Sequence, residues 1–259
     1  MSKQQFWSRV EIGIAELVIE SPPVNALDSV GWRTFSQEID ALQANPEVRV
    51  LVIRAEGRGF CAGVDIKELQ RHPERISEVN AGNWETFRAI HRGQKPVIVA
   101  AHGYILGGGI GISGSADILF CSPDATFGVP EVDRGALGAG AHLQRLFPVQ
   151  KVRQMYFTGE PITAAEAYRL GAVERVVPRE ELRAAAMEVA GKIAAKSTTM
   201  IRLAKEALNG IEDGDLEHKY RWEQGFTAQA YLSAESQEAR DAFVDKRDGE
   251  FNKAKGGQD

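Results

Sequence analysis

The sequence predicts an α/β fold whose last third is helical. Short apolar runs, among them residues 50–53 and 97–101, alternate with segments of helical spacing through the first two thirds. From Pro148 onward the apolar spacing is helical almost throughout. The 259 residues suffice for one sizeable core, and 43% hydrophobic with 26% charged content is ordinary for a globular protein.

Residues 10–19 read as a strand with a turn at Gly13, and Pro22-Pro23 stops it. Val30, Trp32, Phe35, Ile39 and Leu42 fall at helical spacing within 29–43, with Asp28 or Ser29 as the N-cap. Pro46 ends that helix, and 48–54 is a short buried strand. Residues 66–70 suit one helical turn, whereas 71–82 are polar and irregular and read as a mobile surface loop. Then follow helix 84–91, strand 96–102, helix 108–114 and strand 116–121. Residues 123–142 are loop-rich, with four glycines and two prolines. Beyond Pro148, helices are expected at 149–158, 163–170, 179–196, 199–209, 216–232 and 236–246, interrupted by a strand at 172–177. The last four residues suit a frayed tail. No repeat or linker divides the chain. The expected organisation is a core over 1–195 and a C-terminal helical region over 196–259 that caps or assembles it.

A net charge of −5 argues against a nucleic-acid or anionic-membrane surface. Cys61 and Cys121 make no disulfide framework and suit a reducing compartment. The first residues carry no apolar leader, and no apolar run spans a bilayer. The expected location is the cytoplasm.

The chemistry concentrates in two glycine-containing turns. Leu106-Gly107-Gly108-Gly109-Ile110-Gly111 follows one apolar strand and opens a helix. Gly59-Phe60-Cys61-Ala62-Gly63-Val64-Asp65 follows another. Glycine lets other groups approach the backbone closely, and a helix start leaves amides unpaired. Two such turns can aim one N–H each at a single substrate oxygen. Residues 109–114 also match the dinucleotide pattern G-x-G-x-x-G, but the next strand follows too soon for a crossover helix. Cys61 has no positioned base in the sequence and reads as a packing residue.

Three motifs stand in order: 60–67, 103–109, and Ala125-Thr126-Phe127-Gly128-Val129-Pro130-Glu131. With Asn25-Ala26-Leu27, Thr158-Gly159, Gly171 and Ala242-Phe243 as flanking landmarks, the chain resembles the crotonase (enoyl-CoA hydratase/isomerase) superfamily along nearly its whole length. That resemblance implies a spiral of β-β-α units with a C-terminal helical region, a homotrimer or dimer of trimers, and an acyl-CoA thioester substrate. It implies no cofactor beyond the coenzyme A of the substrate, and no metal. By motif position, the backbone amides of Val64 and Gly108 form the oxyanion hole, and Glu131 is the acid/base. Ala62, Asp65, Ile66 and Lys67 line the CoA, and Gly107 and Gly111 border the acyl group.

One departure stands out. Relatives that hydrate enoyl-CoAs carry a second glutamate where this chain has Gly111. The aspartate that some isomerases use corresponds to Ala139. Gly111 disfavours ordinary two-glutamate hydration relative to isomerase or hydrolase chemistry, Ala139 disfavours that isomerase subtype, and the glycine suggests space for a bulky or ring-containing acyl group. A narrower similarity, in 57–68, 130–139, 223–227 and 240–244, is to the ring-opening acyl-CoA hydrolases of bacterial steroid breakdown. It implies attack by water on a ring ketone and C–C cleavage. Asp133 and Arg134 have two readings: a surface ion pair, or groups that orient Glu131 or bind a polar acyl group. His142 is a candidate second acid/base, or a helix-start or interface histidine. A non-catalytic CoA- or RNA-binding relative is the alternative from another class. The mixed charge of the C-terminal helices, including Glu206, Glu212, Asp213 and Glu217, disfavours an RNA binder.

Overall fold

The computed structural model describes residues 5–131 and 138–212, with Ala234, Glu238, Arg247, Gly249 and Glu250 beyond them. The first strands are β1 (Phe6–Glu11) and β2 (Ile14–Ile19), an antiparallel hairpin. Its turn holds Ile12 and Gly13 at positive φ (49° and 76°). The sequence pattern suggests one strand here; the turn at Gly13 makes it two.

Strands β4 (Val50–Ala55), β6 (Val97–Ala101), β8 (Ile118–Cys121) and β11 (Arg175–Val176) extend the hairpin into a six-stranded sheet. Its order is β1-β2-β4-β6-β8-β11, and every pair after the first is parallel. After three of these strands the chain makes a short second strand: β5 (Gly63–Val64), β7 (Tyr104–Leu106) and β9 (Thr126–Gly128). β5 pairs with β3 (Ala26–Leu27), while β7 and β9 form a sheet with β10 (Ile162–Thr163). A helix then returns the chain. The helices from this first part are α1 (Ser29–Ala44), α2 (Ile66–Arg71), α3 (Ile76–Arg92), α4 (Gly108–Ser115) and α5 (Gly140–Leu146). This strand–strand–helix winding is the spiral expected from the motifs.

The main strands are apolar along their length because both faces are covered. In β4, Leu51 and Ile53 join the core with Trp32, Phe35 and Phe60. Val50 and Val52 point the other way, onto Leu182, Ala186 and Ala190 of α8 (Arg179–Ala194). Between α5 and α8 lie α6 (Val149–Thr158) and α7 (Ala164–Arg169). α9 (Thr198–Ile211) follows α8, and its buried Lys205 donates to the carbonyls of Ile90 and Lys95 and to Asp117 at 2.8 Å. That one ammonium fastens the helix to the end of α3 and the edges of two strands.

The structure departs from the sequence pattern most at 71–82. Pro73–Arg75 form a 3-10 turn, and α3 begins at Ile76, well before Trp84. Ser77, Glu78, Asn80 and Ala81 are exposed, so this half of the helix carries few apolar anchors to announce it. The loop-rich 123–142 stretch likewise contains β9 and the start of α5. The helices expected at 216–232 and 236–246 lie outside the described segments. Among the described residues, no helix is long and apolar enough to cross a membrane.

Candidate active site

Two backbone turns meet at one point. Asp65 N–H donates to Leu27 O, completing the β3–β5 ladder. Alternate amides of an extended strand point to opposite edges, so Val64 N–H faces away from β3. On that side lies the second turn. The two turns are laced together by Leu106 N–H to Cys61 O at 2.9 Å and by a parallel bridge between Cys61 and Ile105. Gly108 is the first residue of α4, and its amide has no acceptor within the helix. A Cβ on Gly63 would sit 3.0 Å from Gly108 N, so only glycine permits this approach. Gly63 also has φ 86°. The first turn is held from outside by Asn25, whose side chain accepts from Ser21 N–H and donates to Glu56 O and Gly59 O at 2.7 Å.

Glu131 arrives from the end of the β9 segment. Gly107, at φ 49°, donates its N–H to Gly128 O and lies against the Glu131 carboxyl. A Cβ on Gly107 would collide with Glu131 Oε1. The glycine next to the helix start therefore seats the carboxylate beside the two amides. A cavity of about 350 Å³ opens here. Ala62, Val64, Ile66, Gly107, Gly108 and Glu131 all line it. The other expected residues are placed differently. Asp65 turns its side chain onto Lys67 N–H at 2.9 Å and caps α2, and Lys67 is exposed. Neither lines the cavity.

The far wall is α3. Ile76, Val79, Asn80, Asn83 and Phe87 follow helical spacing along the face toward the cavity. Gly82 and Thr86, on another face, pack against Trp32 of α1. The ring of Phe87 fills the space that a side chain at 111 would need, and a Cβ on Gly111 would run into it. Gly111 is fully covered and does not line the cavity, so the extra acyl volume expected from its missing side chain is taken by Phe87. Phe87 in turn meets His142 edge-on, with ring centroids 4.6 Å apart, and Trp32 at 6.0 Å. His142 packs its backbone and Cβ against Gly114 and lies behind Phe87, outside the cavity lining. Burial pushes its pKa down, and so do His91 and Arg145, which favours the neutral ring. Its ring packs edge-on against Phe87 and borders a separate surface pocket with His91 and Arg145. Asp133 and Arg134 lie outside the described residues.

Cys61 is fully buried, and burial pushes its thiol up to about 12 against the opposing hydrogen bond from Gly63 N–H. A thiol so protonated is no nucleophile at neutral pH. Among the described residues, no three His, Cys, Asp or Glu side chains are grouped to hold a metal ion. Sequence reasoning missed Asn83 and Phe87. Their signal was the spacing 76, 79, 80, 83, 87, which is visible once the helix is started at Ile76.

This geometry has counterparts. The family model described as enoyl-CoA hydratase/isomerase matches residues 9–254. The (7aS)-7a-methyl-1,5-dioxo-2,3,5,6,7,7a-hexahydro-1H-indene-carboxyl-CoA hydrolase of Mycobacterium tuberculosis (strain H37Rv) is 47% identical over 238 residues, covering 91% of this chain and 96% of that protein. The protein of the same name from Rhodococcus jostii (strain RHA1) is 46% identical over 235 residues, covering 90% and 91%. Among solved structures, an enoyl-CoA hydratase from Mycobacterium smegmatis superposes with a TM-score of 0.91 at 27% identity, covering 97% of this chain and all of that one.

Proposed function

The chain belongs to the enoyl-CoA hydratase/isomerase family, and from that premise we propose that it hydrolyses a carbon–carbon bond in the ring of a cyclic β-keto acyl-CoA. The carrying observation is that Glu131 is the one carboxylate among the described residues of the cavity lining, while Phe87 occupies the room a second would need. Hydration in this family divides the work between two carboxylates. Hydrolytic ring opening of a β-keto thioester needs one group that takes a proton from water and returns it to the α-carbon. The two hydrolases that match at 46–47% identity support the same class of substrate.

The steps balance with water alone. Glu131 accepts a proton as water adds to the ring ketone carbon. The tetrahedral alkoxide collapses, and the bond between that carbon and the thioester α-carbon breaks. Its electron pair passes into the thioester as an enolate, whose oxygen the Val64 and Gly108 amides hold. Each such donor is worth about 3–4 kcal/mol of barrier. Glu131 then returns the proton to the α-carbon, leaving a ring-opened carboxylic acid. The protein supplies backbone dipoles and one carboxylate, with no metal or redox group in the scheme. A homotrimer, alone or paired, in the cytoplasm completes the proposal.

Turnover of 2-oxocyclohexanecarboxyl-CoA in ¹⁸O water tests it. The expected product carries one ¹⁸O in a new carboxylate. Hydration of crotonyl-CoA with no ring opening of any cyclic keto thioester would overturn the assignment.

A further inference from the structure

Asn83 is the one polar side chain deep in the α3 wall. It follows Val79 by four residues and precedes Phe87 by four, so all three share the helix face on the cavity. Its Oδ1 is buried and has no hydrogen-bond partner. Asn80, the neighbouring amide on this stripe, is exposed and at the mouth. Burying an amide oxygen without a partner costs stability and gains nothing inside the chain. An apolar residue would serve the wall better unless something in the cavity uses the amide. A straight-chain enoyl group offers nothing to it beyond the thioester, which the backbone turns across the cavity already engage. A ring bearing oxygen does. The Asn side chain presents either an acceptor or an NH₂ donor by rotating its terminal amide, so it suits a ketone, its enol or its hydrate.

We propose that Asn83 is a specificity-determining residue that hydrogen-bonds an oxygen carried on the ring of the acyl group. This rests on the cyclic-substrate assignment above and adds to it the group that recognises the ring. Glu131 and the two amides handle the thioester end. Asn83, one helical turn from the Phe87 ring, tells an oxygenated ring from a plain hydrocarbon one.

Binding separates this from catalysis. Dissociation constants are measured for cyclohexanecarboxyl-CoA and for its 2-, 3- and 4-oxo derivatives in a Glu131→Gln background, where no ring opens. At least one oxo thioester is expected to bind about 10-fold more tightly than the hydrocarbon one. Asn83→Leu erases that preference, with the hydrocarbon thioester bound as before or better. Asn83→Leu also unfolds at the same or a higher temperature, since Oδ1 surrenders no bond. Asn83→Ser, which keeps a polar group, is the second variant and retains part of the preference. Equal binding of all four thioesters, or a preference that survives both substitutions, overturns the proposal. If the parent enzyme opens no ring but the Asn83-dependent preference stands, the reaction assignment fails and the recognition role survives.

Discussion

The two walls of the cavity are made of different material. One is backbone: Val64 and Gly108 amides, set by a β ladder on one side and a helix start on the other. Three glycines there are set by contact, since Gly63, Gly107 and Gly108 each touch something a Cβ would displace. The other wall is side chain: Val79, Asn83 and Phe87 of one helix. Backbone dipoles aimed at an oxygen are indifferent to what the rest of the substrate looks like. A helix face can change residue by residue without disturbing them. Chemistry common to a family belongs on the first wall, and substrate choice on the second.

The largest effect that tests this division comes from the first wall. Glu131→Gln keeps the size of the side chain and removes the base, so steady-state turnover should fall about 10³-fold with acyl-CoA affinity changed only a few-fold. Near-normal turnover would take Glu131 out of the mechanism. Gly108→Pro removes one of the two proposed oxyanion donors. A Cβ there also meets the Trp32 ring, so the informative enzyme is Gly108→Pro with Trp32→Ala, compared with Trp32→Ala alone. A further loss of about 10²–10³-fold in kcat is expected from the amide. Equal rates in the two would place the oxygen elsewhere.

The second wall is sharpened by exchanging its aromatic ring for the absent carboxylate. Gly111→Glu alone collides with Phe87 and should cost about 2 kcal/mol in urea unfolding, with no new activity. Phe87→Ala with Gly111→Glu opens the space, and should gain crotonyl-CoA hydration that the parent lacks. If the single variant hydrates crotonyl-CoA as well as the double one, Phe87 is not what fills the glutamate's place.

The smallest effect on activity, and a control on stability, lies far from both walls. Glu16 is buried on β2 against the α8 side. Burial alone would raise its pKa, but hydrogen bonds from Arg183, Arg54 and Arg9 outweigh it and hold the carboxyl at about 2. Its contribution is present in full above its ordinary value of 4.5 and is lost as pH falls through about 2. Glu16→Gln should therefore cost about 3 kcal/mol at pH 7 and flatten the acid limb of stability between those pH values. Turnover at 25 °C should be unchanged. A full acid limb in Glu16→Gln would assign that limb to other carboxylates.

Local pattern carried most of the main sheet. Val50–Ala55 and Val97–Ala101 are apolar runs between helices, and a covered parallel strand needs no more. The helix over 149–158 matches the expected bounds, because Pro148 starts it and Gly159 at φ 71° ends it. The first half of α3 was hidden because Ile76, Ser77, Glu78, Asn80 and Ala81 are all exposed and only Val79 and Gly82 are buried there. The strand expected over 10–19, with its turn at Gly13, is β2 and the end of β1, and the two-residue turn is what keeps the two strands close in sequence.

The order of the motifs was enough to single out Val64, Gly108 and Glu131, since backbone turns and a Pro-Glu step are written in consecutive residues. It was enough, too, to expose Gly111 as the missing carboxylate. What that absence means was decided in three dimensions. A vacancy in the sequence is not a vacancy in space: Phe87, 24 positions earlier, comes over from another helix and closes it. Close packing leaves no hole where a neighbour can reach, and which neighbour reaches is fixed by how the helices cross.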